Sequence, residues 1–263
     1  MEETAWPRGQ LVRPAQAALV GVLIAVAALG WLLTGERMAG MDMGPGTDPG
    51  SLAFYVSIWV VMMAAMMLPS AAPMVVAHSA VERRRRELGR ASMPGTSAAF
   101  VGGYLLVWTA FGVVAYALFE LVRSLDVDAL SWDRQGRYVA AAVIGVAAIY
   151  QLTPLKDACL AKCRSPLAFV VGSWRDGRLG AARMGIEHGA WCVGCCWGLM
   201  LTLFAVGVMS ITWTVVIAAL VALEKLLPWK TLANRGVAVL LVVLALAVAV
   251  APEHVPALTI PEL

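Results

Sequence analysis

Apolar residues along this chain come in long unbroken runs. Seven stand out: Ala15–Leu33, Leu52–Ala77, Ala98–Val122, Tyr138–Leu152, Gly189–Met209, Ile211–Leu227 and Val237–Ala251. A helix needs about 20 apolar residues, with a range of ~17–25, to cross a hydrocarbon core about 30 Å thick. The first, second, third and fifth runs meet that length. The fourth and seventh are short, and little more than Ser210 separates the fifth from the sixth. The pattern predicts an all-α, polytopic transmembrane helical bundle of about seven spans, or six if the fifth and sixth runs form a re-entrant pair. Residues 1–14 then read as a tail, 15–251 as a single helical membrane domain, and 252–263 as a second tail.

Composition agrees with the pattern. Hydrophobic residues make up 60% of the 263 and charged residues 14%, against ~45–50% and ~25% in soluble domains, and the mean hydropathy is +0.78. The first apolar run is too long for the core of a cleaved signal peptide and carries no clear cleavage site. Under seven spans, sixteen of the 20 basic residues share a side with the N-terminus. Only Arg37, Arg123, Arg134 and Arg137 fall on the other side. The positive-inside rule therefore expects a cytoplasmic N-terminus, with the C-terminal tail and His254 outside. Those topology signals account for most of the basic residues, so nucleic acid is not an expected partner. The run Glu82–Arg90 is expected to lie against the anionic surface of the lipid bilayer.

Three stretches carry chemistry. Between Gly185 and Met200 the chain packs one His and three of its five Cys, with His188, Cys192, Cys196 and Met200 four residues apart and Cys195 beside them. On a helix these form one stripe of imidazole, thiols and thioether, a donor set that suits a soft metal ion. Cys159 and Cys163 are also four apart, and Lys156, Lys162 and Arg164 around them are expected to favour the thiolate. All five Cys fall on the cytoplasmic side or in the inner membrane, where thiols stay reduced, so metal binding outranks disulfides. The alternative is that they pack as small hydrophobes.

The second run holds Met62, Met63, Met66 and Met67, followed by Pro69 and Pro73. The thioethers suit Cu(I), although Met is also an adaptable core filler. The two prolines are expected to kink or break the helix. The outer loop Thr34–Ser51 adds Met41 and Met43 beside Asp42, which read as a Cu(I) landing site or as a Met-rich linker. His78 reads as an interface histidine or an extra ligand. Glu224 and Lys225 are expected to snorkel to the inner interface beside Trp229, the alternative being that Glu224 faces the bundle as a proton or metal group.

The combination Met62-Met-Ala-Ala-Met-Met-Leu-Pro-Ser70, Thr153-Pro-Leu-Lys-Asp-Ala-Cys-Leu-Ala-Lys-Cys-Arg-Ser-Pro166, Gly189-Ala-Trp-Cys-Val-Gly-Cys-Cys-Trp-Gly-Leu-Met200 and Glu224-Lys225 resembles a bacterial family of predicted metal-binding integral membrane proteins. That family is likened to the membrane copper chaperone that accompanies a bacterial tyrosinase. The resemblance implies a multi-pass protein of the bacterial inner membrane. It also implies handling of copper as Cu(I), with delivery to a copper enzyme or soluble copper carrier.

Two other functions fit the same cysteines. One is a membrane thiol-disulfide oxidoreductase using Cys192 and Cys195; the other is an assembly subunit with a structural zinc site, to which the Met cluster would be irrelevant. Ser/His/Asp arrangements, phosphate-binding Gly loops and paired catalytic carboxylates are absent from the sequence, so an enzyme is not expected.

Overall fold

The computed structural model describes residues 14–42, 44, 48–90, 93–124 and 132–259, and among these the chain forms nine α-helices and no strand. They are α1 (Pro14–Met38), α2 (Leu52–Glu87), α3 (Thr96–Ser124), α4 (Arg137–Tyr150), α5 (Pro154–Cys163), α6 (Pro166–Gly172), α7 (Gly177–Val206), α8 (Ile211–Leu226) and α9 (Lys230–Val250). A π-helical turn at Trp132–Gly136 leads into α4, and a 3-10 turn at Pro252–His254 follows α9.

Local chemistry sets the boundaries. Ser51 caps α2 by accepting a hydrogen bond from the Phe54 N–H, which satisfies one of the unpaired donors at a helix start. Thr153 lies before Pro154, which disfavours helical backbone there. It is extended, with φ −83° and ψ 147°, and caps α5 through its hydroxyl. The result is a 70° bend between α4 and α5. Gly207, with φ +119°, ends α7 in a conformation costly for any residue with a Cβ.

Five helices, α1, α2, α3, α7 and α9, are long and apolar enough to cross a membrane, and the bent pair α4–α5 makes six if it counts as one span. The expectation of seven falls short at α8, whose 16 residues rise only ~24 Å at 1.5 Å each. Large apolar side chains such as Val22, Leu29, Leu106, Leu118, Val243 and Leu246 remain exposed on the outer faces of α1, α3 and α9. Exposed apolar faces of that extent suit lipid and not water.

Two boundaries correct the sequence expectations. The second run is not broken: α2 is one continuous helix of 36 residues through Pro69 and Pro73. Both prolines lie on the exposed side of α2, where each removes one backbone donor and the bonds of the flanking turns carry the helix through. The fifth run starts too late, because α7 begins at Gly177 and not near Gly189. Arg178, Arg183 and Glu187 hide this first half from a hydropathy reading. The cysteines therefore do not open the helix; Cys192 lies ~22 Å from its start and ~21 Å from its end.

The most extensive helix pair is α3 with α7, and glycines bring the two backbones together. A Cβ on Gly103 would stand 2.1 Å from the Ala182 carbonyl oxygen, and one on Gly185 2.0 Å from that of Phe100. With Gly189 this makes a Gly-xxx-Gly seam of the kind membrane helices use for close approach. Contacts also sort the connections into two ends. Gly207, Asp42 and Gly44 meet at one end, with Arg123 bonded to Asp48; Arg85 with Asp176 and Arg178 with Pro94 meet at the other.

Candidate metal centre

Halfway along α7 the stripe expected from the sequence faces inward. His188, Cys192, Cys196 and Met200 are all buried, at 2%, 0%, 1% and 0% exposure. The ligand atoms of Cys192, Cys195 and Cys196 lie within 4.8 Å of one another, and the Cys195 and Cys196 sulfurs are 3.2 Å apart. Cys163, at the end of α5, places its sulfur 3.8 Å from that of Cys195. All five cysteines are free thiols. Three clustered soft donors with a fourth at the edge can hold a Cu(I) or a Zn(II) ion.

The remaining predicted ligands lie elsewhere. Cys159 is buried one turn before Cys163 and packs against Gly194, where a Cβ would come within 2.9 Å of its sulfur; it is outside the cluster of three. His188 is outside it too, stacked within 5.4–6.0 Å of Tyr104, Phe169 and Phe100. Met62, Met63, Met66 and Met67 are buried in α2, and the Met62 sulfur accepts from the Thr214 hydroxyl at 3.9 Å. Met41 is half-buried in the connection that covers the end of α7 near Gly207, ~17 Å along that helix from Cys196. Met43 lies outside the described residues.

The cation beside the thiols is not one the sequence pointed to. Lys225 does not snorkel; it is buried, and its Nζ donates to Cys192 Sγ at 2.9 Å and to Ser70 Oγ at 3.3 Å. The Tyr104 hydroxyl lies 3.0 Å from the same sulfur. Lys156, expected near the α5 cysteines, instead pairs with Glu224 at 2.6 Å, each side chain 1% exposed. Arg164 donates to the carbonyls of Glu224 and Leu227, and Lys162 lies over the Trp191 ring. The apolar length of α8 concealed both charges, since a run ending in Glu-Lys before Pro reads as an interface. Only their position four and three residues before Pro228, against a helix just 16 residues long, hints that they sit deeper.

A bundle of long apolar helices around a buried thiol cluster beside a buried lysine has the make-up of a helical membrane protein with a site that could hold a soft metal ion. The comparison with protein families agrees: residues 56–248 match PpoB2, described as a copper chaperone, and the chain belongs to that family. No curated protein and no solved structure matches it.

Proposed function

We propose that this chain is a copper chaperone of the bacterial inner membrane that holds Cu(I) as cargo on Cys192, Cys195 and Cys196. Cys163 lies close enough to enter or leave the ligand set, and the ion passes by ligand exchange to a copper enzyme or a soluble copper carrier. The methionines of α2 supply thioether stations between the centre and the end near Gly207, where Met41 lies. No bond of a substrate is made or broken, so the protein is a carrier and not an enzyme.

The observation that carries the reading is Lys225 in contact with Cys192. Cu(I) held by two of the three cysteines as thiolates and by the third as a neutral thiol carries one negative charge, and a charge buried in a membrane protein needs a partner. Lys225 cancels it, leaving the loaded centre neutral. A thiol-exchange role needs an accessible sulfur, and the three clustered cysteines are at most 1% exposed.

The sorting of connections to two ends supports a topology with the N-terminus and the end bearing Arg85 and Asp176 in the cytoplasm, as the basic residues suggest. The test is elemental mass spectrometry of the detergent-purified chain after incubation with Cu(I) or Zn(II) under reducing conditions. About one copper per chain, lost in Cys192→Ser/Cys195→Ser, supports the reading; preferential zinc retention indifferent to Met62→Leu and Met66→Leu overturns it in favour of a structural site.

A further inference from the structure

Two histidines on different helices converge on one ring. His78, on α2, lies tilted 5.2 Å from the centroid of Phe100, and His188, on α7, stacks 6.0 Å from it. Both are buried, at 1% and 2% exposure. The Nδ1 of each has no hydrogen-bond partner among the described residues. A buried polar group left unpaired costs about 1–3 kcal/mol, a cost a phenyl ring in the same cage would avoid. Packing alone does not explain two of them side by side.

Their helices run antiparallel in a register fixed by three contacts. Trp59 stacks on Phe204 with centroids 5.8 Å apart. Lys225 bridges Ser70 and Cys192. Arg85 bonds Asp176, the residue before α7, at 2.7 Å. From Ser70 to Arg85 is fifteen residues along α2, and from Cys192 to Asp176 is sixteen back along the chain, so the two advance together. Between those levels each helix carries soft ligands at steps of four: Met74 and His78 on α2, His188 and Met184 on α7. All four are buried, and each step rises ~6 Å.

We propose that His188, Met74, His78 and Met184 form a relay for Cu(I) between the cysteine centre and the end of the bundle where Arg85 meets Asp176. The inference rests on the copper reading above and adds a second activity to it: with the thioethers of Met62 and Met66 on the far side of Ser70, soft ligands extend along most of α2 and α7, and the chain conducts Cu(I) through the membrane. Imidazole and thioether are neutral donors, so the ion moves through the relay with its single positive charge, and Lys225 at the level of Ser70 separates the two halves. Trp174, stacked 5.4 Å from His78, covers the relay at its end.

The full chain reconstituted in liposomes tests this, with a Cu(I)-specific chromogenic chelator inside, Cu(I) and reductant added outside, and copper bound per chain measured in parallel. The expected result is chelate formation by wild type at least tenfold faster than by Met74→Leu/His78→Phe, with bound copper unchanged in the variant. His78→Met keeps a soft donor and is expected to retain transfer. Transfer unaffected by the double change, or absent in a wild type that binds copper, overturns the relay and leaves the chaperone reading standing. Failure of wild type to bind copper at all overturns both. If the double variant misfolds by circular dichroism, His78→Gln serves instead, with the same loss of transfer expected and undiminished transfer overturning the relay.

Discussion

Replacing Lys225 with Met removes one positive charge and keeps most of the volume. Its Nζ stands 2.9 Å from Cys192 Sγ, where two unit charges at an effective dielectric constant of ~20 interact by about 6 kcal/mol. Desolvation and relaxation reduce the net, and breaking one side of a buried pair costs about 3–5 kcal/mol. Without Lys225 the free protein can protonate Cys192, so most of the cost falls on the copper-loaded form, which needs thiolates. Taking about 3 kcal/mol as the loss on that form, Cu(I) affinity drops by roughly a hundredfold or more, at 1.4 kcal/mol per tenfold. Competition titration of Lys225→Met against a Cu(I) chelator measures the change directly. Lys225→Arg, which keeps the charge, is expected to lose less. Unchanged or tighter Cu(I) binding by Lys225→Met would refute the charge-balance argument and leave Lys225 as a packing residue.

Cys195→Ser is expected to abolish stoichiometric Cu(I) binding, whereas Cys159→Ser, outside the cluster, is expected to leave most of it, as read by copper content per chain. Gly185→Ala places a Cβ 2.0 Å from the Phe100 carbonyl oxygen and is expected to cost about 3 kcal/mol by forcing α3 from α7; Gly102→Ala, which meets nothing within 4 Å, is the tolerated control, with thermal unfolding as the assay. The Trp174 N–H and the Arg85 guanidinium bonded to Asp176 hold its carboxyl below the usual carboxylate range. A lowered folded pKa contributes stability above the unfolded pKa of ~3.9 and loses it as pH falls through the folded value. The fluorescence difference between the wild-type chain and Trp174→Phe is therefore expected to stay constant at neutral pH and to change below pH ~4, and Asp176→Asn is expected to remove that change.

Class and stripe were legible in the sequence because they depend on local periodicity. Runs near 20 apolar residues mark spans whatever they pack against, and a spacing of four puts His188, Cys192, Cys196 and Met200 on one face of any helix. Depth was not legible, because Arg178, Arg183 and Glu187 sit within the first half of α7 and made the helix look as if it began near the cysteines. The same limit applied to Lys225 and Lys156. A lysine near an apolar run's end reads as interfacial, and only the packing of α8 against α2 and α7, and its contact with α5, turns it inward. Of the kink or break expected at Pro69 and Pro73, the break is absent: each proline removes one backbone bond from a helix of 36 residues, and the bonds of the flanking turns carry α2 through both.

Glu224 and Lys225 are adjacent on α8 and point, ~100° apart around the helix, to different partners. Glu224 reaches Lys156 on α5, the helix after the bend, and Lys225 reaches Cys192 on α7 and Ser70 on α2. One turn of α8 thus ties the element that carries Cys163 to the element that carries the other ligands. Each bond is buried and charge-assisted, so neither can be given up singly without leaving an unpaired charge in an apolar interior. The Cys192 sulfur keeps lone pairs for a metal ion while it accepts from Lys225, so the proposed loaded centre leaves both ties of α8 in place. Through Glu224 and Lys156 the same turn of α8 helps to fix α5, and with it Cys163, whose sulfur lies 3.8 Å from that of Cys195.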